Sequence, residues 1–335
     1  MLQLNFKKPM GVLALVTALL SCYGPSYAQF KNLAPIKIEK TILKAKPIKE
    51  NDLMRWSHLD IVNDTVPGMS VDRAYTELLK KRKGTKIIVG VVDSGLDVDH
   101  PDLKGHIWTN TNEIPGNNID DDKNGFVDDI HGWNFLGDAT DMNLELTRIV
   151  KKGDDGSEEY KKAKAELDKK ILELKQQKPQ VNMIAKADQD IRSYLKKETY
   201  TKEDLKGIST TDAALNRSKM MMMSIATQAG DAFQEEIKSY VEYVNDHLNY
   251  NLNVEFDGRK VIGDNPEDIN DKNYGNGNVK GPDVEDALHG THVAGIIAQV
   301  RGNEIGGDGV VAKNVEIMAI RAVPNGDEYE DRKST

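Results

Sequence analysis

Cysteine is almost missing from this chain of 335 residues: it has one, Cys22. A lone thiol closes no intrachain disulfide, which excludes a disulfide-stapled scaffold and a cysteine-rich zinc site. Positive charge is short as well. Lys and Arg number 45 against 54 Asp and Glu, a net charge of −9. Without a basic stripe to neutralise phosphates, the balance argues against nucleic acid as a partner. The apolar run Met10–Ser21 falls well short of the roughly 20 residues a bilayer-spanning helix needs, so no transmembrane span is expected. No His-Glu-x-x-His segment occurs, and the helix signature of many zinc proteases is therefore absent.

What the short apolar run does suit is export. Lys7 and Lys8 precede it, and Ser26-Tyr27-Ala28 offers small residues at the third and first positions before a cleavage point. This predicts a signal peptide over 1–28 and a new amino terminus at Gln29. Leu19-Leu20-Ser21-Cys22 reads alternatively as a bacterial lipoprotein box, which would leave a lipid anchor at Cys22. Both readings take the protein out of the cytoplasm, secreted or in the cell envelope. Residues 29–55 are polar, Lys-rich and punctuated by Pro35 and Pro47, as expected of a loose amino-terminal stretch. A helix is predicted within Met69–Arg82, with Val71, Ala74, Leu78 and Leu79 on one side.

Lys86–Val92 is a near-continuous β-branched run, which suits a parallel strand covered on both faces. It ends at Asp93, and Ser94-Gly95 turns the chain at once. A carboxylate at the carboxyl end of such a strand lies where open α/β sheets hold ligands and chemistry. Taken alone, the stretch is equally readable as a turn or N-cap aspartate. A second stretch begins 196 positions later at His289, in HGTHVAGIIA. Small and apolar residues follow through Ala298, predicting a tightly packing helix with His289 at its amino end. His289 and His292 also stand three apart, a spacing open to a zinc reading if a third ligand were near.

The segment Asn118–Trp133 carries a different chemistry. Asp120, Asp122, Asn124 and Asp128 fall at the first, third, fifth and ninth positions of a calcium-loop spacing, with Gly125 at the sharp turn and Phe126 offering its carbonyl. Hard oxygen donors around a glycine turn suit Ca²⁺ in a structural role. The bidentate glutamate of an EF-hand is absent, since His131 stands there. The bland alternative is a solvated acidic turn without metal. Asp268, Asn270 and Asp271 form a poorer candidate set.

Between these signals the chain is helical and charged. In Glu158–Lys178 the apolar positions Tyr160, Ala163, Leu167, Ile171 and Leu174 are spaced three and four apart. Ile184, Ala187, Ile191 and Tyr194 repeat that spacing on a second predicted helix, beyond Pro179. Thr211–Leu248 is the longest such run, with Ile225, Ala229, Phe233, Ile237, Tyr240 and Val244 on one face. Met220–Met223 point all round a helix, so core packing is expected of them before a sticky contact surface.

Taken together, Val91-Val92-Asp93-Ser94-Gly95 and His289-Gly290-Thr291-His292-Val293-Ala294-Gly295 resemble the subtilisin-like serine proteases. His100-Pro101-Asp102-Leu103, Gly132-Trp133-Asn134-Phe135 and the strand-like Val315–Val323 continue the likeness, while Gln299 stands where the family usually has a small residue. The resemblance implies Asp93 and His289 as the catalytic pair, His292 at a non-catalytic position, and protein or peptide substrates. It implies an α/β fold, a partial doubly wound parallel sheet interrupted by a long helical insertion. The expected division is 56–137 and 281–335 as two parts of the protease domain with 138–280 inserted between them, a lid on the cleft being one reading of that insertion. No serine stands in the family's Gly-Thr-Ser-Met-Ala context; Ser224 follows four methionines and Ser334 is penultimate. The expectation is an amino-terminal portion of a longer peptidase, inactive as it stands. The rival reading is a non-catalytic, calcium-binding secreted scaffold with vestigial protease motifs.

Overall fold

The computed structural model describes residues 48–327 except 81, 266–267, 269, 273 and 312. The predicted signal peptide, Cys22, most of the amino-terminal stretch and the tail with Ser334 lie outside the described residues. Three strands form one parallel sheet in the order β1-β3-β2: β1 is Ile87–Asp93, β2 is Gly132–Asn134 and β3 is Val315–Arg321. β1 is largely β-branched and β3 carries Val315, Ile317 and Ile320, residue types that favour strands. The register sets Asp93 and Asn134 on either side of Arg321, so all three strands end together.

Between β2 and β3 lie the helices α1 (Glu145–Lys152), α2 (Glu158–Leu195), α3 (Lys202–Gly207), α4 (Ala213–Ala229), α5 (Phe233–Asp246) and α6 (Leu288–Ala298). α6 lays Ala294 and Ala298 on Val91, Ile317 and Ala319 of the sheet, with Leu96, Leu103 and Val279 closing that core. Small residues on α6 let it approach closely. Val91 and Asp93 of β1 are buried while Ile87, Ile88 and Val92 are exposed. The expected cover on both faces is therefore present on one, among the described residues.

Pro179 does not separate two helices. α2 runs unbroken through it for 38 residues. A helix-interior proline costs about 3 kcal/mol relative to alanine, but Leu174 and Val181 on either side are buried in one apolar cluster with Val244 and Leu252. Tertiary burial outweighs the local penalty. Ser157 caps the start of α2 by accepting from the Tyr160 amide, and Asp212 caps α4 by accepting from Ala214 and Leu215. The long run over 211–248 breaks at Gly230, whose φ of 72° ends α4 before α5 begins. Met222 is fully buried against Ile191, Leu205, Ala226 and Phe233, and Met220 is 73% exposed. Core packing thus takes one methionine entirely and leaves another in water.

Nearer the amino terminus the helix starts at Val71–Arg73 and widens into a π-type turn over Ala74–Leu79. The wider winding rotates the apolar stripe, so Leu78 and Leu79 face solvent and Val71 alone of the four predicted positions is buried. Arg55 is tied to Asp72 and Asp308, which pins the end of the stretch expected to be loose. No helix among the described residues is long and apolar enough to cross a membrane.

Candidate active site

β1 delivers Asp93 to the carboxyl edge of the sheet, and the first turn of α6 delivers His289 to the same place. The His289 Nδ1 lies 2.9 Å from both carboxylate oxygens of Asp93. Donating Nδ1–H to the carboxylate leaves the lone pair on Nε2. The Asp93 side chain is 12% exposed and that of His289 75% exposed, so the pair has a buried, anchored end and an open end. The Ser94 amide donates to Asp93 Oδ1 at 2.7 Å, and the amides of Ala322 and Val323 donate to the Asp93 carbonyl. A carboxylate held this way keeps one orientation.

Cross-links between the turn after β1 and the start of α6 set the distance between the two side chains. The Ser94 hydroxyl donates to the Asp286 carbonyl, the Asp97 amide to Thr291 Oγ1, and the Thr291 hydroxyl to the Ala287 carbonyl. The Leu96 amide donates to the Val279 carbonyl. Gly95 adopts φ 129°, a conformation that favours glycine. Chemically, an imidazole oriented by a strand-end carboxylate can take a proton at its open Nε2 from a hydroxyl within hydrogen-bonding reach, and can return it. His292, one turn on, is exposed and does not join them. Among the described residues it belongs to no group of three that could hold a metal.

The acidic loop is built differently from its spacing. Glu113, Asp120 and Asp122 bring their carboxylate oxygens within 4.8 Å of one another. Glu113 is 6% exposed and accepts from the amides of Asp122 and Asp128, at 3.1 and 3.0 Å. Of the four predicted ligands, Asp120 and Asp122 are in this group. Asp128 instead accepts from the amides of Gly116 and Asn118, closing the loop's entry, and Asn124 bonds the Phe126 amide and the Asp129 carboxylate. Phe126 anchors the loop on Trp133, ring centres 5.0 Å apart.

The donor set is all oxygen and dense in negative charge, which fits Ca²⁺. Burial, with the charges of Asp122 and Glu113 adding to it, pushes the neighbouring Asp129 carboxyl up against the pull of its amide donors Asn110 and Asn124. A cation would relieve that excess of negative charge. Asp268 and Asp271 accept from the nearby amides of Asn270 and Asn265, and they join no metal-type group among the described residues. Glu113 escaped the spacing argument because it lies seven positions ahead of Asp120, outside any loop template. An isolated glutamate shortly before an Asp-rich turn is the signal that could have found it.

A family model described as the Subtilase family, Peptidase_S8, matches residues 84–334. Over 58 residues the chain is 53% identical to "Subtilisin-like protease 1" of Plasmodium berghei, covering 17% of this chain and 9% of that protein. Over 77 residues it is 42% identical to the protein of the same name from Plasmodium falciparum isolate 3D7, covering 22% and 11%. Over 76 residues it is 40% identical to "Major intracellular serine protease" of Bacillus subtilis strain 168, covering 23% and 22%. The matched stretches span less than a quarter of the length of any of these relatives. The match over three quarters of the chain, with the α/β parallel sheet of a partial subtilisin fold beneath it, establishes that the chain belongs to the subtilase family.

Proposed function

We propose that this chain supplies the aspartate and histidine of an exported serine endopeptidase acting on protein or peptide substrates. The observation that carries the reading is the Asp93–His289 pair at 2.9 Å with Nε2 open to solvent. In this reading a serine hydroxyl attacks the scissile carbonyl, His289 Nε2 takes its proton and then passes it to the leaving amine. Asp93 stays ionised, holds the imidazole in that tautomer and stabilises the imidazolium. Residues 56–137 and 281–335 would form the protease domain and 138–280 its helical insertion. The antiparallel bridge between Asn134 and Asn276 supports this division, since it closes the base of the helical segment.

Export rests on the predicted signal peptide, with lipidation at Cys22 as the variant form. Glu113, Asp120 and Asp122 would hold Ca²⁺, which when bound would neutralise the loop and stiffen it. Treating the complete gene product with a serine-directed fluorophosphonate probe tests the function. Covalent labelling that is lost in His289→Ala supports it. A folded, secreted product that takes no label would favour the scaffold reading.

A further inference from the structure

Arg321, the last residue of β3, is 1% exposed and is among the largest fully buried side chains of the molecule. A buried cation normally lies against a carboxylate. Its hydrogen bonds go elsewhere. Nε donates to the Ser94 carbonyl at 3.0 Å, Nη1 to Asn134 Oδ1 and the Gly137 carbonyl at 3.1 Å each, and Nη2 to the Ala139 carbonyl at 2.8 Å. Burial pulls the guanidinium down from its ordinary value, while the more distant charges of Asp286 and Asp138 hold it up.

These four acceptors come from two places, which the sheet register already sets on either side of β3. Ser94 belongs to the turn that carries Asp93. Asn134, Gly137 and Ala139 lead from β2 into the helical segment. Asn134 extends the tie to the segment's return: its Nδ2 donates to the carbonyls of Gly137 and Asn278, and its backbone pairs with Asn276. Gly281 makes room for the guanidinium, since a Cβ there would meet Arg321 Nε at 2.7 Å. A fork of fixed N–H directions suits such a junction, and an ammonium on a flexible stem does not.

We propose that Arg321 is a positioning residue, tying the Asp93 turn to the root of the helical segment so that displacement of one is felt by the other. The proposal rests on the reading of Asp93 and His289 as the catalytic pair. Its functional meaning is that whatever the helices contact can act on the orientation of Asp93 without touching it.

The test is amide hydrogen exchange on the 335-residue chain, followed residue by residue. The Ser94 amide reports on the Asp93 carboxylate it donates to, while Ile317 and Ala319, bonded to His106 and His131 in mid-sheet, report on the sheet itself. In Arg321→Lys, Ser94 should exchange about tenfold faster with Ile317 and Ala319 unchanged. Gly137→Ala, milder because a Cβ there would meet Gly275 and Asn276 only at ordinary contact distance, 3.8 and 3.9 Å, but φ is 52°, should speed Ser94 exchange about threefold from a residue that does not touch Ser94. In the Arg321→Lys background it should add nothing. Unchanged Ser94 exchange in both single variants overturns the proposal, as does acceleration of all three amides together. If Arg321→Lys does not fold, Gly137→Ala alone decides by the same criteria. Exchange tests the tie and fluorophosphonate labelling tests what the pair does, so the two ideas can fail separately.

Discussion

Gly290 of α6 meets Gly95 of the turn after β1 so closely that a Cβ on Gly290 would lie 2.0 Å from the Gly95 carbonyl oxygen and 3.0 Å from the Asp93 Cβ. The spacing of Asp93 and His289 depends on this contact, because His289 is the residue before Gly290. Gly290→Ala should therefore destabilise the fold by about 1–3 kcal/mol, the usual cost of forcing a methyl into packed surroundings. If Asp93 and His289 are the catalytic pair, Gly290→Ala should also abolish proteolysis even where the protein still folds. Thermal melting and peptide hydrolysis, measured together, check both halves.

In the acidic loop, Glu113, Asp120 and Asp122 form the group that could hold a cation. If Glu113, Asp120 and Asp122 hold Ca²⁺, a chelator should lower the melting temperature and added Ca²⁺ restore it. At a hundredfold excess over Kd the stabilisation is about 2.7 kcal/mol. Glu113→Gln should remove most of that response. Glu113→Gln and Asp128→Asn should both lower stability without Ca²⁺, since each carboxylate accepts from two loop amides, and Glu113→Gln alone of the two should also lose the Ca²⁺ response. Calorimetry across these two variants distinguishes the roles.

Asp246, at the end of α5, is pushed up to about 6, chiefly by burial and then by the charges of Asp141, Glu242 and Asp286. The folded chain thus holds this proton at pH values where the unfolded chain has released it. Its contribution is favourable at low pH and is lost as pH rises from about 4 to about 6. Asp246→Asn should accordingly raise the melting temperature well above pH 6 and leave it unchanged below about pH 4. A gain of equal size at both ends of that range would contradict this.

Pro179 interrupts the hydrogen bonding of a helix that nevertheless continues. Pro179→Ala should stabilise the chain by about 1–3 kcal/mol, less than the full propensity difference because alanine also loosens the unfolded state. A melt showing no gain would mean that α2 is not continuous in solution.

How much of the fold and the site is legible in the sequence depends on whether a residue's role is local. β1 and α6 are legible because a β-branched run and a stripe of small residues state their own packing, and their ends fall on Asp93 and His289. The helical segment is legible for the same reason, through its spacing of three and four. Pro179 misleads because a local penalty is visible and the burial of Leu174 and Val181 that overrides it is not. Glu113 and Arg321 are invisible for a related reason. Each is given its role by partners brought together only by folding: two loop amides for the first, and Ser94, Asn134, Gly137 and Ala139 for the second. Asn124 and Asp128, at ligand positions of the spacing, hold the loop's own backbone and Asp129, as Asp120 holds the amides of Asn124 and Gly125.

Steady-state hydrolysis of a peptide substrate by the complete gene product and its Asp93→Asn variant reaches the centre of the account. An amide at position 93 keeps the shape and loses the charge that fixes the His289 tautomer, so turnover should fall by about 10⁴ with the fold intact. A loss smaller than about tenfold in a folded variant would mean that Asp93 and His289, 2.9 Å apart, do not work as a pair.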